Sequence, residues 1–116
     1  MSRAEPPAGA YTVRAEGRGR VELPAYGMAD AEHQVEKELL RAWPDARTEV
    51  LEVIRAETAG RIVEEFRVAY RVSAAVSVEA SSPDEAKREA LRRLRAAFEG
   101  TRYRRIEWAK VEVSPA

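Results

Sequence analysis

Residues 66–79 read F66-R67-V68-A69-Y70-R71-V72-S73-A74-A75-V76-S77-V78-E79, and their alternation decides how the rest of the chain is read. Phe66, Val68, Tyr70, Val72, Ala74, Val76 and Val78 fall on one side. Arg67, Arg71, Ser73, Ser77 and Glu79 fall on the other. A period of two over this length predicts a half-buried β-strand with one wet face. The strand is longer than the usual five or six residues, so a bend or bulge is expected within it. It runs into S82-P83-D84-E85, a helix start. Ser82 can cap, Pro83 suits the first helical turn, and Glu85 can complete a capping box. Ala86, Ala90, Leu91, Leu94, Ala97 and Phe98 then form an apolar stripe, and Gly100 follows as a C-terminal glycine.

The same pattern stands 55 residues upstream. V21-E22-L23-P24-A25 aligns with V76-S77-V78-E79-A80, and Tyr11 and Val13 align with Phe66 and Val68. Ala31, Leu39 and Ala42 align with Ala86, Leu94 and Ala97. Continued without a gap, the shift places Arg47 on Arg102, Leu51 on Ile106 and Val53 on Trp108. Tyr11, Val13, Ala15, Gly17, Gly19, Val21 and Leu23 form the apolar side of the upstream strand. Ala31, Val35, Leu39, Ala42 and Trp43 form the matching helical stripe, which Pro44 stops. Gly27 sits where Ser82 sits, so this helix has the weaker start.

Closing strands are expected at about 47–57 and 102–113, and both lose phase midway. Leu51 and Val53 share a side while Ile54 and Ala56 lie on the other; Ile106 and Trp108 are likewise out of phase with Val111 and Val113. A bulge would restore one core face. Otherwise the second face is covered, as a partner subunit would cover it. T58-A59-G60-R61 is the expected turn between halves of about 10–57 and 65–113. Residues 1–9 and 114–116 are expected as disordered tails around one α+β domain spanning 10–113. The order β-α-β-β-α-β resembles a ferredoxin-like plait, a four-stranded antiparallel sheet with two helices on one face. That fold hosts many functions and implies no activity by itself.

The segment A15-E16-G17-R18-G19-R20-V21 reads as strand rather than as a phosphate-cradling loop, because it matches neither glycine-rich phosphate motif and opens no helix. Two positions without side chains on a core face point to a bulge, to a close backbone approach, or to a small ligand cleft formed by Gly17, Gly19, Trp43 and Tyr70.

The chain has 116 residues, 45% of them hydrophobic and 34% charged, which is the make-up of a folded domain. It has no cysteine, which excludes thiol catalysis and disulfides and suits a cytoplasmic setting. Its 17 Arg against 3 Lys resemble the usage of GC-rich bacterial genomes. The N-terminus has no apolar signal region and no stretch suits a membrane helix, so no membrane role is expected. His33, the single histidine, lies off the apolar stripe with no second imidazole or thiolate, so neither metal nor cofactor is expected. No nucleophile–base constellation is discernible, and no enzymatic activity is expected.

One charge asymmetry stands out. Between Lys87 and Arg105 eight basic residues oppose Glu89 and Glu99, a net +6; the window Glu32 to Val50 has three basic and five acidic residues, a net −2. A solvated helix with internal ion pairs, a charge-complementary interface and a nucleic-acid surface are the three readings. The last would use Arg88, Arg92, Arg95, Arg102, Arg104 and Arg105, although the F66-R67-V68-A69-Y70 run lacks the RNA-recognition signature of plait-fold RNA binders. Together these features predict a non-catalytic interaction module acting as a homodimer through a sheet face or edge, with nucleic-acid binding as the runner-up and a ligand-binding or enzymatic domain third.

Overall fold

The computed structural model describes residues 9–57 and 62–116. The expected turn at 58–61, and the expected N-terminal tail apart from Gly9, lie outside the described residues. In chain order the elements are β1 (Gly9–Ala25), α1 (Met28–Ala42), β2 (Arg47–Glu57), β3 (Glu64–Ala80), α2 (Pro83–Phe98) and β4 (Glu107–Pro115). The four strands form one sheet in the order β2-β3-β1-β4, with every neighbouring pair antiparallel. The protein is thus α+β, with an architecture compatible with a ferredoxin-like plait.

β1 and β3 are 17 residues each and pair in one unbroken register from Gly9↔Ala80 to Ala25↔Glu64. At about 3.3 Å per residue this ribbon is roughly 56 Å long. Of the expected bend or bulge, the unbroken register leaves no bulge between these two strands, and the sheet they centre is curled. Irregularities fall instead in the shorter outer strands. β4 spends three residues from Ala109 to Glu112 against two on β1, with Lys110 at φ 50°. β2 gains a residue between Val50 and Glu52 and another between Arg55 and Glu57. These bulges bring Val50 and Val53, and Trp108, Val111 and Val113, into contact with the core. Leu51 therefore turns outward with Ile54, the reverse of its expected partnership with Val53. The bulge also removes the reason for expecting a covered second face at Val111 and Val113.

Because β1 and β3 keep strict alternation, their odd and even residues respectively share one face along the whole ribbon, and both helices lie on it. The helices follow one another lengthwise. Ala31, Val35 and Leu39 of α1 pack on Val21, Leu23, Ala25, Phe66, Val68 and Tyr70. Ala86, Ala90 and Leu94 of α2 pack on Tyr11, Val13, Ala15 and residues Ala74 to Ala80. Trp43 and Trp108 touch both clusters and join them into one core. Complete burial of side chains such as Leu23, Leu39, Phe66 and Leu94 stabilises the fold by about 1.5–3 kcal/mol each.

The internal repeat holds from strand through helix. Both ends of β1 and β3, the first residues of α1 and α2, and the buried trios Ala31–Val35–Leu39 and Ala86–Ala90–Leu94 all differ by 55. Gly17 alone faces its own repeat counterpart, Val72. A pseudo-two-fold axis therefore passes between them, and the C-terminal ends of both helices converge on it.

The ungapped match fails after the helices. β2 begins opposite Ser73, whereas β4 begins opposite Arg18, the counterpart of Ser73. The counterpart of Arg47 is thus Glu107 and not Arg102. The second half carries five extra residues, and 101–105 form turns rather than the first part of a strand. At the other end, Ser114 and Pro115 belong to β4, and the Ala116 N–H donates to the Ala10 carbonyl at 2.9 Å, so the expected C-terminal tail is part of the sheet.

The helix starts differ as expected. Ser82 Oγ accepts the Glu85 N–H at 3.2 Å, and Glu85 reaches back to Ser81 rather than to Ser82. Gly27 offers α1 no side-chain cap. Gly100 follows α2 at φ 78°, the left-handed conformation that glycine adopts without strain.

Candidate functional site

Three places were singled out by sequence or emerge from the fold: the glycine-flanked middle of the ribbon, the basic helix with its following turn, and the strand edges.

At the middle, Gly17 and Gly19 leave room that neighbouring side chains fill. A Cβ on residue 17 would overlap Ile106 and lie 2.9 Å from Trp108. A Cβ on residue 19 would overlap the Tyr70 hydroxyl. Neither glycine marks a bulge in its own strand or a backbone crossing. Gly19 and Tyr70 do meet in a shallow hollow of about 370 Å³ with Arg18, Arg20, Leu51, Ala69, Arg105 and Glu107. Gly17 and Trp43 take no part in it, so the four residues expected to line a cleft are not brought together.

Beside the axis, the eight-residue connection between α2 and β4 inserts Tyr103 against the first half. Tyr103 is 1% exposed, meets Tyr70 edge-on at 5.3 Å, and donates its hydroxyl to Glu38 Oε1 at 2.6 Å. Arg102 Nε lies 3.3 Å from the same carboxylate oxygen. Burial pushes the Tyr70 phenol up to about 12. Burial, with Glu38 beside it, pushes the Tyr103 phenol up further. Both remain protonated at neutral pH, and Tyr103 acts as a fixed donor. A hollow of about 320 Å³ next to it is lined by Glu38, Arg41, Ala42, Ala97, Thr101, Arg102 and Tyr103.

The six arginines proposed for nucleic acid divide into two sets. Arg92 is held by Glu89 at 2.6 Å and Arg102 by Glu38. Arg93 also binds Glu89, at 2.8 Å, and the two guanidiniums hold the Glu89 carboxyl down at about 2. Arg88, Arg95, Arg104 and Arg105 are exposed and form no ion pair among the described residues. Arg88, Arg92 and Arg95 share one face of α2, and Arg104 and Arg105 lie in the turns beyond it. On the opposite face of the sheet, Arg18–Glu16, Arg67–Glu22, Arg71–Glu49 and Lys110–Glu16 pair across a charge-balanced surface. Glu16 stays below the usual carboxylate range: partial desolvation raises it, but Arg18, Lys110 and Arg71 together outweigh that.

Which edges lie open was not anticipated. β2 covers β3 only as far as Ser73, and β4 covers β1 only as far as Arg18. Gly19–Ala25 of β1 and Ala74–Ala80 of β3 therefore have one edge that no described strand pairs. The sequence signal was the length mismatch between 17-residue central strands and their shorter neighbours.

His33 is exposed, and no group of three or more His, Cys, Asp or Glu residues is placed to hold a metal ion among the described residues. No helix among them is long and apolar enough to cross a membrane. No protein-family model matches the chain, and no curated protein or solved structure does.

Proposed function

We propose that this protein is a non-catalytic interaction module that assembles with itself as a homodimer, on an α+β frame of the ferredoxin-like kind drawn out lengthwise. The observation that carries this reading is the incomplete pairing of the two central strands. Each leaves seven residues of one edge that no described strand pairs. Such an edge is a row of free backbone donors and acceptors, a template for another strand. The groups with shifted pKa values among the described residues support the non-catalytic part. They are surface ion-pair members, the carboxylate of Glu85 that Ser81 holds at the start of α2, and two tyrosines locked in the protonated form. The absence of cysteine suits a reducing, cytoplasmic location.

Sedimentation velocity at micromolar concentration tests the reading. A species of twice 13.0 kDa is expected, and a single species of 13.0 kDa overturns it.

A second reading, nucleic-acid binding, is favoured by four exposed arginines, Arg88, Arg95, Arg104 and Arg105, that form no ion pair among the described residues. It requires labelled RNA or DNA to bind with an affinity that falls steeply with salt. Replacing Arg88, Arg95 and Arg104 with Glu should then abolish binding; no binding at low salt removes this reading.

A further inference from the structure

The two unpaired edges are counterparts in the internal repeat, 19–25 and 74–80, yet their chemistry differs. On β1, Pro24 lacks an N–H and can donate nothing to a neighbouring strand. Arg20 and Glu22 stand beside it. Proline and long charged side chains are the usual devices that keep a strand edge from pairing. The β3 edge reads A74-A75-V76-S77-V78-E79-A80. It contains no proline, no lysine or arginine, and one glutamate.

Two observations fix which of its backbone groups point outward. The Ser77 carbonyl accepts Arg93 Nη1 at 3.1 Å from α2. Ala10, which faces Glu79, gives its carbonyl away from β3 to Ala116, so Ala10 and Glu79 form a non-hydrogen-bonded pair. Ala75, Ser77 and Glu79 thus present their N–H and C=O groups to the open edge.

We propose that a second copy of this chain pairs with this edge in antiparallel fashion, Ser77 of each copy facing the other across a two-fold axis. The proposal rests on the self-association reading above and names its surface and register. In this register Ala75 faces Glu79 and Val76 faces Val78, so no like charges oppose each other. The outward-pointing residues fall in the hydrogen-bonded positions, giving about six main-chain bonds across the axis. The lane has the right length. It is closed on one side by Arg47 opposite Ser73, and on the other the chain leaves the strand at Ser81. At the axis the strands run β4-β1-β3-β3-β1-β4, each copy's β2 continuing the lane that the other copy's β3 enters, with both copies of α2 on one face. Arg93 releases the Ser77 carbonyl on pairing and keeps Glu89, 2.8 Å away. An isologous contact of this kind closes at two copies.

The chain has no cysteine, so Ser77→Cys introduces a single thiol on the axis. Facing residues of an antiparallel pair lie within disulfide reach, and S77C is expected to cross-link to a covalent dimer under mild oxidation. Ala75→Glu sets a new carboxylate on one copy against Glu79 of the other, twice per dimer; about a tenfold rise in the dimer dissociation constant is expected. Adding Glu79→Lys to A75E should restore the wild-type value, which a merely structural effect of A75E would not allow. Ser77→Pro should give a monomer, with circular dichroism reporting whether it is folded. A wild-type monomer overturns both this proposal and the reading beneath it. A wild-type dimer that A75E leaves unchanged and S77C does not cross-link overturns the edge alone, and self-association stands.

Discussion

The Tyr70 hydroxyl occupies the space that a Cβ on residue 19 would need. Gly19↔Tyr70 is a facing pair of the central ribbon, so the missing side chain on one strand accommodates the large one on the other. Gly19→Ala should destabilise the protein by about 1–3 kcal/mol, the usual cost of overpacking a filled core. Tyr70→Phe removes the nearest atom, and the double variant G19A/Y70F should lose less than the two single losses combined. Urea denaturation of the four proteins measures this coupling; strict additivity would show that the hydroxyl is not the obstacle.

Tyr103 ties the second half of the chain to the first through Glu38. Tyr103→Phe should cost about 1–2 kcal/mol by removing a hydrogen bond to a charged acceptor. Glu38→Gln keeps an acceptor oxygen and should cost less. Thermal unfolding of the two variants ranks them, and the opposite order would assign the energy to the Arg102–Glu38 pair instead.

Tyr70 has its phenol raised from 10.0 to about 12, and Tyr103 is raised further. A group whose folded pKa exceeds its unfolded value stabilises the fold fully below the unfolded value and loses that contribution as pH rises through the folded one. Stability should therefore be insensitive to these groups below pH 10 and fall between about pH 10 and 12. Absorbance titration should find Tyr70 ionising late in the wild-type protein, with that late step missing in Y70F.

Helix α1 has Gly27 where its repeat counterpart α2 has the capping residue Ser82. The Gly27 backbone is extended, with φ −179° and ψ 179°, and a Cβ there meets nothing within 4 Å. Gly27→Ser should stabilise the protein by about 0.5–1 kcal/mol through a cap and a less flexible unfolded chain. Ser82→Ala should cost about 1 kcal/mol. Chemical denaturation midpoints check both signs.

The repeat was legible because it is written in local patterns. Alternation from Phe66 to Val78 and the stripe from Ala86 to Phe98 each report a neighbour in the same half, and the shift of 55 holds as far as those patterns run. Past the helices it fails for a non-local reason. Tyr103 is buried by Glu38 and Tyr70 of distant segments, and no period within 101–105 announces that. The phase breaks at Val50–Ile54 and Trp108–Val111 were legible as breaks, with a bulge as one reading and a covered second face as the other; the register shifts show the bulges. Which residue would turn outward was not legible, because that depends on the facing residues of β3 and β1. Gly17 and Gly19 were correctly placed on the core face, but the side chains that fill their space come from β3, β4 and the turn before β4. Three of the six proposed arginines, Arg102, Arg104 and Arg105, were placed in a strand that begins only at Glu107.

The unbroken β1–β3 ribbon also governs how the chain reaches its fold. Its closest partners along the sequence, Ala25 and Glu64, are 39 positions apart, and its most distant, Gly9 and Ala80, are 71 apart. No part of the ribbon can form as a local hairpin, and the loop-closure entropies of its two ends differ by only about 0.5 kcal/mol. Neither half contains a two-sided central strand of its own, so neither can condense alone as an early intermediate. The protein should therefore fold in the slow, millisecond-to-second regime of non-local topologies, in a single kinetic phase shared by both helices.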